Sequence, residues 1–240
     1  VYLEALNRLT RKKSLNREVV AFVNVPGWVG DAREDLKQRL ESNKDYNTPL
    51  ECPFITHWLH NMSHDQVLDM LKYLNMSNSP EYFIVKVIFV PCYLDGNDGI
   101  LNETYYDLII GADLSVYPSY YEPWGYTPLE SVAFKVPAIT TDLAGFGLWV
   151  NSLKGHPGTL EDGVKVIHRT DYNYSEVADV IRDTITEFAK LPESEVQIIR
   201  KNAADIAEKA LWKHFIRYYY EAYDVALRNA KERCKSYKQK

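Results

Sequence analysis

Leu3, Leu6 and Leu9 recur at helical spacing near the start of the chain, which predicts a helix with one apolar stripe. The run Glu18-Val-Val-Ala-Phe-Val-Asn-Val-Pro26 is continuously apolar and stops at proline, the pattern of a buried strand. Charged, helix-favouring residues fill 31–40, and residues 43–53 are polar and irregular. Ser63 precedes Val67, Met70, Leu71 and Leu74, a spacing that predicts a helix with Ser63 as its cap. After a turn at 75–80, residues 83–91 form a second apolar strand, 104–110 a helix and 114–118 a short third strand. Thr127-Pro128 opens another helix with proline at its first position. Residues 136–141 and 164–168 predict the fourth and fifth strands. From Tyr174 the pattern is helical, over 177–190, 194–209 and 211–229, and the last ten residues are charged and expected to fray.

Apolar strands alternating with helices predict an α/β fold: a Rossmann-like parallel sheet flanked by helices, with an all-helical C-terminal annex. No internal repeat or low-complexity linker divides the 240 residues. A single domain over 1–230 with a charged tail over 231–240 is the simplest organisation.

Composition narrows the classes. With 46% hydrophobic and 25% charged residues the chain has a globular composition. The net charge of −5 and the lack of a basic stripe argue against nucleic acid as a partner. No apolar stretch approaches the roughly 20 residues that cross a bilayer, so no membrane partner is expected. Cys52, Cys92 and Cys234 are too scattered for a disulfide framework or a zinc site, which suggests a reducing, cytoplasmic setting. The 18 tyrosines and 5 tryptophans suit a wet cleft as well as a core.

Ligands of open α/β sheets bind beyond the carboxyl ends of the strands, at helix N-termini. The segment Glu122-Pro-Trp-Gly-Tyr-Thr-Pro-Leu-Glu130 lies between the third strand and the helix opening at Thr127-Pro128. Gly125 permits close backbone approach, and the amides leading into the helix suit a diphosphate. Thr127 could cap that helix and donate to a phosphate oxygen, and two carboxylates bracket the loop. Spacing alone leaves an ordinary strand–loop–helix turn equally open. His57, His60 and His64, the last two on one potential helical face, lack the acidic partner of a zinc motif and read as surface or loop histidines. Asp95-Gly-Asn-Asp-Gly99 lacks the later ligands of a calcium loop and reads as a turn. Gly145-Phe-Gly147 has no third glycine for a dinucleotide fingerprint and reads as a loop after the fourth strand.

Tyr117-Pro-Ser-Tyr-Tyr-Glu-Pro-Trp-Gly-Tyr-Thr-Pro-Leu-Glu130, followed by Pro137-Ala-Ile-Thr-Thr-Asp-Leu-Ala-Gly-Phe-Gly147, closely resembles the C-terminal domain of glycogen (starch) synthases of the animal and fungal type, glycosyltransferase family 3. Glu122 and Glu130 match the E-x7-E pattern of retaining glycosyltransferases with the GT-B fold. Residues 1–9, Ile55-Thr-His57, Val87-Ile-Phe89, Tyr105 and Trp212 also fall where that family has similar residues. The resemblance spans roughly 1–230 and is loosest over 27–53.

The resemblance implies transfer of glucose from UDP-glucose or ADP-glucose to the 4-hydroxyl at the non-reducing end of an α-1,4-glucan, with retention and without metal or cofactor. Glu122 would contact the sugar hydroxyls as the catalytic carboxylate. The amides of Trp124, Gly125 and Tyr126 would line the glucose and phosphate pocket. Thr127 would contact the diphosphate, Glu130 the ribose hydroxyls, and Tyr105 would stack on the nucleobase. The family also uses an Arg and a Lys just before the helix matching 1–9, and an N-terminal domain that closes over the donor. Both would lie upstream of Val1, so these 240 residues are expected to be inactive alone, to bind nucleotide weakly and to expose a sheet edge. The family's arginine-rich regulatory helix matches 193–202, where only Arg200 and Lys201 are basic, which argues against control by a sugar phosphate. A GT-B transferase with another acceptor and a non-catalytic sugar-nucleotide module are the competing readings. Homo-oligomerisation of a full-length protein stays open.

Overall fold

The computed structural model describes residues 1–12, 15, 17–42, 44–78 and 84–238, without the side chains of 12 and 236–238. Residues 79–83, which hold the turn end and strand start expected there, lie outside the described residues, as do 239–240.

Helix α1 (Tyr2–Lys12) buries Leu3, Leu6 and Leu9 and packs against α7 (Tyr174–Phe188), whose Val177, Ala178 and Ile181 are fully enclosed. Arg8 ties the pair together, reaching Glu4 at 2.9 Å, the Ser175 carbonyl at 2.8 Å and Asp179 at 3.0 Å. Strand β1 (Val19–Asn24) runs parallel to β4 (Val85–Val90), from Val19 opposite Val85 to Asn24 opposite Val90. A second parallel group has the order β5 (Ser115–Val116), β6 (Ala138–Thr141), β7 (Val164–Ile167). Phe89 of β4, Ile139 of β6 and Ile167 of β7 belong to one apolar core with α1 and α7. The α/β architecture with parallel strands flanked by helices is therefore as expected.

Several boundaries differ from the expectation, each for a local reason. The run at 18–26 is buried on one face only: Ala21 and Val23 face the core, while Val20 and Phe22 are about half exposed. A short antiparallel pair, β2 (Val29–Ala32) with β3 (His57–Leu59), takes Asp31 into a strand and delays α2 to Glu34–Ser42. Asp65, not Ser63, caps α3 (Gln66–Tyr73), accepting from the amides of Val67 and Leu68. Ser63 instead donates to Asn61. His60 and His64 lie in the turn between β3 and α3 rather than on a helix.

Helix α4 (Tyr105–Ile109) starts at its cap Thr104. Helix α5 (Tyr126–Ala133) begins earlier than the proline rule implies, because Gly125 takes a left-handed conformation, φ 104°, that turns the chain into the helix. Pro128 thus sits third in the helix, still among the first-turn positions whose amides have no intrahelical partner. Gly145-Phe-Gly147 is the first turn of α6 (Gly145–Lys154), not a loop. The C-terminal annex comprises α8 (Glu193–Lys209) and α9 (Trp212–Lys238), and the charged residues from 231 continue the last helix to Lys238. No helix among the described residues is long and apolar enough to cross a membrane.

Candidate functional site

The carboxyl ends of β5 and β6 frame residues 117–130. Beyond β5 the chain stays extended and is laid against the turn after β6. The Glu122 amide donates to the Leu143 carbonyl at 3.2 Å, the Gly145 amide to the Glu122 carbonyl at 3.1 Å, and the Phe146 amide to the Trp124 carbonyl at 2.6 Å. Thr141 Oγ1 adds a bond to the Ser119 carbonyl at 2.7 Å. This seam explains Gly145: a Cβ there would stand 2.2 Å from the Pro123 carbonyl oxygen. The loop carrying Glu122 is thus pinned before any ligand arrives.

Trp124 turns inward. Its ring meets Phe146 at 6.0 Å, Trp149 at 6.0 Å and Phe215 of α9 at 5.5 Å, a cluster joining the loop, α6 and the last helix. The Trp124 side chain is thus half-buried in this cluster. Tyr126, 69% exposed, opens α5, and Thr127 follows it, also exposed. No side chain caps α5, which corrects the expectation that Thr127 does so. Thr127 lies inside the first turn, past the position from which a hydroxyl caps its own helix. Among the described residues nothing accepts from the amides of Trp124, Gly125, Tyr126 and Thr127. Free donors at a helix N-terminus, with its partial positive charge, suit an anion. The Glu122 stem borders them, with its Cγ 3.5 Å from where a Gly125 Cβ would stand.

Glu130, one turn into α5, is joined to α4. Tyr106 Oη donates to Glu130 Oε1 at 3.0 Å, and that bond raises the Tyr106 pKa. The neighbouring Tyr105 pairs its hydroxyl with that of Tyr117 at 3.2 Å, and burial followed by this bond raises its pKa strongly. Tyr105, Tyr106, Tyr117 and Glu130 are thus one connected group, whereas Glu122 borders the amide end of α5.

Three further polar residues at the strand ends escaped sequence reasoning. Asp142 follows β6, and His168 and Arg169 follow β7. His168 Nδ1 lies 2.5 Å from Asp142 Oδ2, and the Arg169 amide donates to Asp142 Oδ1 at 2.9 Å. The hydrogen bond to Asp142, then its charge, lifts the His168 pKa. The Arg169 guanidinium donates to the Pro118 carbonyl and lies over the Tyr120 ring at 5.1 Å, bracing the strand extension that leads to Glu122. Polar residues directly after apolar strands were the available signal.

Other groups resolve differently. His57 is buried, not a surface histidine, and His57, Cys92 and Asp98 bring ligand-type atoms within 4.8 Å of one another. Each is already engaged. His57 contacts Thr56 Oγ1 at 2.8 Å and the Asp98 carbonyl at 2.7 Å. The Asp98 carboxylate accepts from the amides of Ile100, Leu101 and Asn102, which makes the 95–102 segment a turn held by its own side chain. Burial and the nearby Asp98 charge push the Cys92 thiol up, away from the thiolate a metal needs. Arg200 is committed to the carbonyls of Lys135 and Ala112 and to Asp113, and Lys201 lies 3.8 Å from Asp205. A concavity of ≈ 190 Å³ is lined by Trp28, Leu59, Asn61, His64 and Asp65. Another, of ≈ 460 Å³ between α5 and α8, reaches Glu130, and Glu122 lines neither.

Comparison with known proteins bears on this geometry. Residues 30–240 match the family model described as glycogen synthase. The chain is 32% identical to glycogen [starch] synthase isoform 2 of Saccharomyces cerevisiae over 176 residues, 73% of this chain and 25% of that protein. It is 30% identical to glycogen [starch] synthase of Neurospora crassa, over 81% of this chain and 27% of that one. Liver glycogen [starch] synthase of Rattus norvegicus is 28% identical over 82% of this chain and 28% of its own. The chain therefore spans about a quarter of the length of these curated relatives. Among solved structures, WaaG, a glycosyltransferase involved in lipopolysaccharide biosynthesis, overlaps 85% of this chain and 46% of its own at 16% identity. Its TM-score of 0.40 is too low to bear on fold or function. By the family match and by identity over most of its length, the chain belongs to the glycogen synthase family.

Proposed function

We propose that residues 122–130 form the donor site of a retaining GT-B glucosyltransferase that moves glucose from UDP-glucose or ADP-glucose to the non-reducing end of an α-1,4-glucan. The observation that carries this reading is the pinned loop whose amides, at Trp124 to Thr127, are uncommitted at a helix N-terminus between two carboxylates. Family membership selects the reaction from those such a site could serve.

The chemistry sets what these groups must do. Breaking the bond between the glucosyl C1 and the phosphate oxygen leaves positive character on the sugar ring and negative charge on a diphosphate. Donors fixed in advance toward that growing charge lower the barrier without reorganising during the step. In this reading the amides of Trp124, Gly125 and Tyr126, with the Thr127 amide and hydroxyl, face the glucosyl phosphate. Glu122 accepts from the sugar hydroxyls, and Glu130 accepts from the ribose diol. Tyr105 provides an aromatic face for the base. The helix N-terminus supplies part of the positive potential the diphosphate needs, and in this reading no metal is required. A cytoplasmic setting accords with three cysteines that form no disulfide.

Calorimetric titration of the chain with UDP-glucose and ADP-glucose tests the reading. Weak but saturable binding of one of them is expected, weakened a further tenfold or about that by Glu122→Ala, the scale of one lost hydrogen bond to a charged group. No binding of either sugar nucleotide would sink it. Unchanged affinity in Glu122→Ala would remove that residue from the site.

A further inference from the structure

Tyr106 has no part in the reading above, yet it holds one of its carboxylates. Helix α4 is a single turn fixed at its start by Thr104, which accepts from the Asp107 amide. Consecutive residues of a helix point about 100° apart. Tyr105 therefore reaches the Tyr117 hydroxyl at the end of β5, while Tyr106 reaches Glu130 on α5 at 3.0 Å. The Tyr106 ring packs between Tyr105 and Phe134, with centroids 5.5 Å away on each side. Ring packing thus sets where the hydroxyl sits, and the hydroxyl sets where the carboxylate sits. An ionised carboxylate offers about four acceptor positions, of which one phenol uses one. Oε2 and part of Oε1 stay available.

We propose that Tyr106 is a positioning residue that orients the Glu130 carboxylate to accept from both hydroxyls of a ribose, so that the site prefers ribonucleotides to 2′-deoxyribonucleotides. This rests on the donor-site reading of Glu130. An unrestrained glutamate loses rotamer freedom when it closes on a diol, and the Tyr106 bond removes that freedom before the ligand arrives. Tyr106 touches no reacting atom; it acts through Glu130.

The test titrates the chain with uridine and adenosine diphosphates, their 2′-deoxy forms and pyrophosphate, in wild type, Tyr106→Phe and Glu130→Gln. The phenylalanine keeps the ring packing and deletes one hydrogen bond. Wild type is expected to prefer the ribonucleotide by about tenfold. Tyr106→Phe should reduce that preference to about two- to threefold through weaker ribonucleotide binding, with pyrophosphate affinity and thermal midpoint unchanged. An unaltered preference in Tyr106→Phe overturns the inference; if Glu130→Gln still abolishes the preference, the donor-site reading stands. An unaltered preference in Glu130→Gln overturns the ribose assignment of Glu130 and the inference together. Equal loss of ribonucleotide and pyrophosphate affinity in Tyr106→Phe assigns Tyr106 to the loop as a whole and also overturns it. No binding of any of these by wild type overturns both.

Discussion

Gly145 shows how one missing side chain holds the site in shape. The Pro123 carbonyl oxygen occupies the space a Cβ would need, so the seam between residues 122–124 and 143–146 closes only over glycine. Gly145→Ala is expected to force that seam apart and to destabilise the chain by about 1–3 kcal/mol, read as a lower midpoint in denaturant. A midpoint equal to wild type would mean the loop is not pinned there. The His168–Asp142 pair makes a pH prediction at the same scale. The folded His168 pKa is raised, so the pair's contribution to stability is full below the ordinary value of about 6.5 and is lost as pH rises through the folded value. Proton NMR titration of the His168 ring should give a midpoint above about 6.5, falling toward it in Asp142→Asn. The same midpoint in both proteins would show that Asp142 does not set it.

At the scale of elements, α9 is attached to the rest of the molecule near its start and exposed beyond. Phe215 sits 5.5 Å from Trp124 and 5.3 Å from Trp149, whereas Tyr219, Tyr220, Tyr223 and Leu227 are 48–61% exposed. Phe215→Ala should release the helix from the Trp124 loop, costing about 1–3 kcal/mol and speeding amide exchange throughout α9. Exchange in α9 that matches wild type would contradict this anchoring. Periodicity found the elements built on strong stripes, such as α1 with Leu3, Leu6 and Leu9 and α7 with Val177 and Ile181. It missed those decided by contacts distant in sequence. The β2–β3 pair exists because Val29 and Leu59 meet across thirty residues, and α6 begins on glycines whose contacts are the carbonyls of Pro123 and Thr141. Gly125 started α5 ahead of Pro128 because a left-handed residue outranks proline preference as a helix start. Of the candidate site, the loop and its two carboxylates could be singled out from 122–130, and Tyr105 from the family resemblance alone. Tyr106, Asp142, His168 and Arg169 could not, since only the fold brings the ends of α4, β6 and β7 together.

For the molecule as a whole, two parallel strand groups share one core, and the carboxyl ends of the β5–β6–β7 group carry the extension from Tyr117 to Gly125 and the Asp142–His168 rim. In the proposed function the donor lies on that edge, over the first turn of α5, and not in the concavity beside Trp28. Amide NMR of the labelled chain during titration with UDP and ADP tests this most directly. The amides of Trp124, Gly125, Tyr126 and Thr127 are expected to shift most, and those of Trp28, Asn61 and His64 to hold still. Shifts centred on Trp28, with residues 124–127 unmoved, would contradict it.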